Sequence, residues 1–187
     1  MNAYADFLER EDSVLLLVDI QKLMLDPCVQ PERVRRNASV LIKAAGILHI
    51  PVFFSVHNAD KLGGFLPELI EKAVQPRLFN KLEFSCLQNE SIARALLDTG
   101  RRSLLLAGLE AHICVFHTGA HALRLGYRVH VASDAVSSRT YLNMRTGLNR
   151  LEKAGGVVSS TEMIIYELLN QAGTPEFRAI LPLLKTL

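Results

Sequence analysis

The sequence has no tryptophan, and aromatic residues make up only 6% of its 187 positions. Platforms that stack exposed bases are built from aromatic side chains, so this scarcity argues against single-stranded nucleic acid as a ligand. A basic stripe is missing too. The formal net charge is +2, and the densest positive group is Arg33, Arg35 and Arg36. The three cysteines, Cys28, Cys86 and Cys114, are odd in number and irregularly spaced. They make no disulfide framework, and no CxxC pair exists to hold zinc. Free thiols fit a reducing compartment. No apolar run approaches the roughly 20 residues that a bilayer-spanning helix needs. The acidic stretch 1–12 reads as neither a secretory signal nor an Arg-rich transit peptide. The expected location is the cytoplasm, with no membrane and no nucleic-acid partner. Phosphate-cradle patterns are absent, and Gly63-Gly64 reads as a loop. No cofactor is expected.

What is present is a globular composition, with 49% apolar and 21% charged residues. The length suits one domain spanning 1–187. Short apolar runs alternate with segments of helical period. Runs at 14–18, 51–56 and 103–107 read as strands covered on both faces. A further strand ends near Lys81, and others cover 127–131 and 157–158. Between them, 31–49, 89–99, 111–125, 141–154 and 161–171 carry helical spacing, and Pro175 can open a last helix. Residues 61–67 read as a loop. Strand–helix alternation implies a three-layer α/β/α architecture with a parallel, Rossmann-like sheet of about six strands.

In such sheets ligands bind outside the carboxyl ends of the strands. Three reactive residues fall there. Asp19 follows the first strand, Lys81 ends another, and Cys114 opens the helix after 103–107. A thiol in the first turn of a helix feels the positive end of the helix dipole, which favours the thiolate. An adjacent carboxylate can serve as acid and base, and a lysine can hold positive charge near sulfur and oxyanion. Taken singly, each has a plainer reading: a buried structural Cys, a turn cap, a solvated Lys. Their shared position at one sheet edge is what raises them.

Together these motifs resemble the isochorismatase-like cysteine hydrolases, the group that includes nicotinamidases and N-carbamoylsarcosine amidase. The matching segments are Asp19-Ile20-Gln21, Lys81-Leu82-Glu83-Phe84-Ser85, the stretch from Gly108 to Cys114-Val115, and Asp134-Ala135 with Ser137-Ser138-Arg139. Glu110-Ala111 and Ser160-Thr161-Glu162 point to the subgroup of isochorismatase-domain proteins. The resemblance implies a Cys114–Asp19–Lys81 triad acting on a small amide or carbamoyl substrate. Cys114 would attack the carbonyl carbon, Asp19 would shuttle the proton and activate the hydrolytic water, and Lys81 would stabilise the thiolate. It further implies an oxyanion hole made of the backbone N–H groups of Glu110 and Cys114, with a cis peptide at Leu109–Glu110. A homo-oligomer is expected on the same ground.

Gln21, His57, Phe84, His112 and Phe116 are candidates for the substrate pocket. The Asp-x-His metal cluster of nicotinamidases is reduced here to His57 with Asp60 nearby, so no metal is expected. His117 and His121 share a helix face and read as packing or subunit contacts. Cys28 and Cys86 read as spectators. The alternatives are a silent binding or scaffold protein that keeps the fold, a vinyl-ether hydrolase of the isochorismatase type, and a thiol pair of Cys86 and Cys114.

Overall fold

A segment apolar at every position cannot be one face of an amphipathic element, and needs cover on both sides. Residues Ser13–Val18 form β1, buried throughout at the centre of a sheet. The computed structural model describes residues 7–187. β1 is flanked by β2 (Val52–His57) and β4 (Ser103–Gly108), both parallel to it. β3 (Arg77–Lys81), β5 (Arg128–Val136) and β6 (Val157–Ser159) complete a six-stranded sheet in the order β3-β2-β1-β4-β5-β6. The winding direction reverses between β1 and β4, which opens a crevice at their carboxyl ends.

Side chains alternate across β1. Leu15 and Leu17 point into a core shared with α2 (Pro31–Ile47), α8 (Thr161–Leu169) and α9 (Pro175–Leu184). Val14, Leu16 and Val18 point into the opposite core, beneath α5 (Glu90–Leu97), α6 (Phe116–Arg124) and α7 (Tyr141–Lys153). The α/β/α layering read from the sequence is the architecture observed. Helix starts follow capping chemistry: Asn89, Thr140, Ser160 and Thr174 each accept a backbone N–H of the first turn they open.

Three local expectations need correction. Short helices α1 (Lys22–Leu25), α3 (Ala59–Leu62) and α4 (Pro67–Ile70) occupy segments without a clear helical period. They are single turns held by tertiary contact, too short for a periodic signal. β5 runs on to Val136, past the polar pair Ser133-Asp134, because Asp134 accepts the backbone N–H and hydroxyl of Thr161. The helix expected over 111–125 is split into a π-helical turn, Ala111–Val115, followed by α6. Such turns recur at functional sites.

Two glycines set the position of that turn. Gly108 has φ +119°, and a Cβ there would lie 2.0 Å from the Val18 carbonyl oxygen. Gly147 lets α7 press on the turn, since a Cβ would lie 2.5 Å from the Ala111 carbonyl oxygen. Gly147→Ala is expected to cost about 1–3 kcal/mol, the range for overpacking, read as a lower midpoint in denaturant unfolding. Gly108→Ala, with backbone strain added, is expected to cost more.

Candidate functional site

The sheet brings the three reactive residues together from three strand ends. Asp19 leaves β1 in a left-handed conformation, φ 52°, and its carbonyl accepts the Gln21 N–H at 2.8 Å. A non-glycine residue held there carries strain of the kind that clusters at functional sites. Its carboxylate is fully buried and doubly held. Oδ1 accepts the Ser55 hydroxyl at 2.7 Å, and Oδ2 accepts the Lys81 ammonium at 2.7 Å. Lys81, the last residue of β3, also donates to the Glu83 carbonyl at 3.1 Å. Burial by itself would lower the Lys81 pKa; the charge of Asp19 outweighs it and raises the value. The ammonium therefore stays charged across neutral pH.

Cys114 sits in the π-helical turn, 3% exposed, with its sulfur within 4.8 Å of an Asp19 carboxylate oxygen. Here the structure corrects the expectation of a dipole-lowered thiol. Burial, and then the Asp19 negative charge, push the Cys114 pKa well above its ordinary value, and Lys81 only partly opposes them. The resting sulfur is a protonated thiol facing a carboxylate. The expected cis bond is also absent, for peptide bonds are trans throughout the described residues, Leu109–Glu110 included. The chain turns at Gly108 instead, and Leu109 N–H is drawn to Val18 O at 2.8 Å.

The pocket candidates divide by location. Gln21 is fully buried and acts as a latch. Its amide nitrogen donates to the carbonyls of His57, at 3.1 Å, and Gly63, while its oxygen accepts the His57 N–H at 2.7 Å. His57 ends β2 beside Lys81. One of its ring nitrogens, the Cys114 sulfur and an Asp19 oxygen all lie within 4.8 Å of one another. The rings of His57, Phe84, His117 and Phe116 follow one another at centroid distances of 5.7, 6.0 and 5.7 Å, with Phe84 53% exposed. Phe116 also lies under Arg150, at 4.3 Å. His112 pairs with Ser138 Oγ at 3.0 Å through Nδ1. The Glu110 carboxylate holds Arg139, accepting its backbone N–H at 2.9 Å and its guanidinium at 3.2 Å.

Asp19, His57 and Cys114 form a group of metal-ligating types, while Asp60 is exposed on α3 and does not join them. The Lys81 ammonium, bonded to the same carboxylate, opposes a dication there. His117 and His121 share a face but part company, His121 turning its Nδ1 to Ser85 Oγ at 3.2 Å. A cleft of about 540 Å³ lined by Leu8, Arg128 and Glu167 lies at the opposite, amino edge of the sheet, where β5 begins.

Ser55 escaped the sequence reading, and Cys86, a spectator on that reading, joins the same network. Ser55 holds Asp19, and Cys86, buried, donates from its thiol to Ser55 Oγ at 3.4 Å. The available signal was a single hydroxyl in the otherwise apolar run of β2. Cys28 stays apart from this network, its thiol donating to Met24 O at 3.1 Å.

The isochorismatase domain description matches residues 13–163. The chain belongs to the isochorismatase family. It is 36% identical to the secreted isochorismatase effector Isc1 of Phytophthora sojae, over 92% of this chain and 84% of that protein. It is 34% identical to isochorismatase domain-containing protein 2B of Mus musculus, over 94% and 82%. Among solved structures it is similar to one described as the MAR1 ribonuclease of Caenorhabditis elegans, with a TM-score of 0.91 and 28% identity over 96% and 93% of the two chains. The fold is also that of YcaC from Pseudomonas aeruginosa, with a TM-score of 0.89 and 24% identity over 96% and 92%. The family match spans β1 to α8 and so includes every residue of the Asp19 cluster.

Removing one partner of a buried pair strands the other charge. Lys81→Met is expected to cost about 3–5 kcal/mol. Asp19→Asn with Lys81→Met, which leaves no buried charge, is expected to be more stable than Lys81→Met alone. Urea denaturation of the three proteins measures the difference.

Proposed function

We propose that this protein is a cysteine hydrolase that opens a small amide- or carbamoyl-type substrate through an acyl-enzyme on Cys114. The observation that carries the reading is the Cys114 thiol facing a fully buried carboxylate, Asp19, whose other contacts are the Lys81 ammonium and the Ser55 hydroxyl. A buried carboxylate and lysine are costly to keep, and a structural role alone gives no reason to place a nucleophile against them.

The chemistry starts from the protonated thiol. Asp19 takes the thiol proton as sulfur attacks the carbonyl carbon, so charge appears on sulfur only as the C–S bond forms. Lys81 spends two of its N–H groups on Asp19 and Glu83, leaving one for the sulfur. The developing oxyanion is received by the backbone N–H groups of Glu110 and Cys114, with the Leu109–Glu110 bond trans as it stands. Asp19 then passes its proton to the leaving nitrogen, the C–N bond breaks, and a thioester remains for water to hydrolyse. The pocket over this centre is formed by His57, Phe84, His112 and Phe116.

Wider aspects of the proposal follow from the same chain. One hydrolase unit spans 1–187. Copies of the chain associate, which accords with exposed apolar side chains at Leu82, Phe84, Tyr141 and Leu142, and with the octameric hydrolase described for Escherichia coli YcaC. No helix of the described residues is long and apolar enough to cross a membrane. We place the protein in the cytoplasm on its free thiols, although the Phytophthora sojae relative is described as secreted.

The test is a panel of small amides, nicotinamide and carbamoyl compounds, followed by intact mass, with RNA as a separate arm because one structural neighbour is described as a ribonuclease. The expected outcome is an acyl adduct that requires Cys114, with turnover reduced about 10³-fold or more in Cys114→Ala. Turnover of RNA without an adduct and unaffected by Cys114→Ala would favour the ribonuclease chemistry. No turnover on any arm would favour the silent fold.

A further inference from the structure

The Asp19 carboxylate has to hold one orientation through two proton transfers, from the Cys114 thiol and then to the leaving nitrogen. The last torsion of an aspartate side chain is soft, so its plane is set by its partners. Lys81 holds Oδ2 at 2.7 Å, and the Ser55 hydroxyl holds Oδ1 at 2.7 Å. Ser55 grips the residue a second time through the backbone, where its carbonyl accepts the Asp19 N–H at 3.0 Å. One residue of β2 thus fixes both the main chain and the side chain of Asp19, which leaves β1 at φ 52°.

A hydroxyl can turn its proton in more than one direction. Here its surroundings select one. Ser55 is fully buried and shares a face of β2 with Phe53, in the core beneath α5, α6 and α7. The Cys86 thiol donates to Ser55 Oγ at 3.4 Å, which occupies the acceptor side of the hydroxyl and leaves its proton for Asp19. Cys86 opens the short 3₁₀ turn Cys86–Gln88, and its own N–H donates to Thr118 Oγ1 of α6 at 3.0 Å. Burial first, and then the Asp19 negative charge, push the Cys86 pKa up, so the sulfur stays protonated and remains a donor. A thiol and a hydroxyl aligned head to tail toward one carboxylate are a costly way to fill apolar space.

We propose that Ser55 is a positioning residue for the Asp19 base and that the Cys86 thiol sets the direction of its hydroxyl, so that the two act as one chain from Cys86 through Ser55 to Asp19. This rests on the acyl-enzyme reading of Cys114. The chain acts through Asp19 alone. Together with Lys81 it holds the carboxylate plane still, so the remaining lone pairs face the same side in acylation and in deacylation, where Asp19 is again the base. It also favours the charged carboxylate over the neutral acid, since a donor to the charged form stabilises that form.

The titratable groups that act on this carboxylate are Lys81 from β3, His57 from β2, Cys114 from the π-helical turn and Cys86 from the 3₁₀ turn. Substitution at Ser55 leaves all four in place, so a displaced acidic limb reports on the carboxylate.

The experiment follows the burst of nitrophenolate from 4-nitrophenyl acetate across pH. The proteins are the wild type, Ser55→Ala, Ser55→Thr, Cys86→Ala, the Ser55→Ala/Cys86→Ala double variant and Cys114→Ala. Burst amplitude counts folded sites, so a variant that folds only in part still yields a rate constant. In Ser55→Ala the expected burst rate constant is about 10-fold lower, its acidic limb lies at higher pH than in the wild type, and Ser55→Thr restores both. Cys86→Ala slows the burst by a smaller factor. The double variant is no slower than Ser55→Ala, because Cys86 acts only through the hydroxyl. A burst in Ser55→Ala that matches the wild type, or that is slower by one factor at every pH, overturns the proposal and leaves the acyl-enzyme reading in place. Losses that multiply in the double variant mean that Cys86 acts apart from Ser55, and overturn the chain. If the wild type shows no Cys114-dependent acetylation, the acyl-enzyme reading itself falls, and the proposal with it.

Discussion

The Asp19–Lys81 ion pair is the interaction around which the carboxyl edge of the sheet is arranged. Both side chains are withdrawn from water, and neither charge is tolerable without the other. The pair joins the end of β1 to the end of β3 across β2, whose Ser55 hydroxyl completes the shell of the carboxylate. Strand order thus becomes site geometry: Asp19 can reach Lys81 only because β2 lies between their strands and contributes a small polar side chain at the crossing. On the other side of β1, Gly108 brings β4 so close that no side chain fits, and the turn carrying Cys114 follows directly.

The electrostatics of this cluster change how the sulfur is to be understood. Proximity to a helix start suggests a ready-made thiolate, but the thiol faces a buried anion and is itself buried. Desolvation and like charge work in the same direction, and a single ammonium already shared with Asp19 does not reverse them. The Cys114 sulfur is kept neutral at rest. This protects it from oxidants and stray electrophiles, which act on thiolates.

Much of the fold was legible because its signals are repetitive. Fully apolar runs such as that of β1 need two-sided cover, and helical spacing between them forces parallel crossovers. The cluster was legible by position, since Asp19, Lys81 and Cys114 each lie at or just beyond a strand end. What stayed hidden depends on distances that no local pattern encodes. Ser55 gives no periodic signal, and its importance appears only when β1 and β2 are in register. The split of the helix at Val115 depends on Gly147, more than thirty positions away in the sequence, pressing on the turn. The length of β5 depends on Thr161, an element later.

Gln21 has a consequence for the way in to this centre. One side-chain amide, itself fully buried, ties the start of α1 to the end of β2 and to the carbonyl of Gly63. The 58–66 segment is thereby anchored to the same backbone that carries Asp19 and His57, and cannot lift away without disturbing both. This side of the entrance is a fixed wall. Beyond Val136 the Arg139 guanidinium is exposed, but the buried Glu110 carboxylate also holds the Arg139 backbone N–H, so this segment too is tied down through its backbone and only the guanidinium can move at little cost.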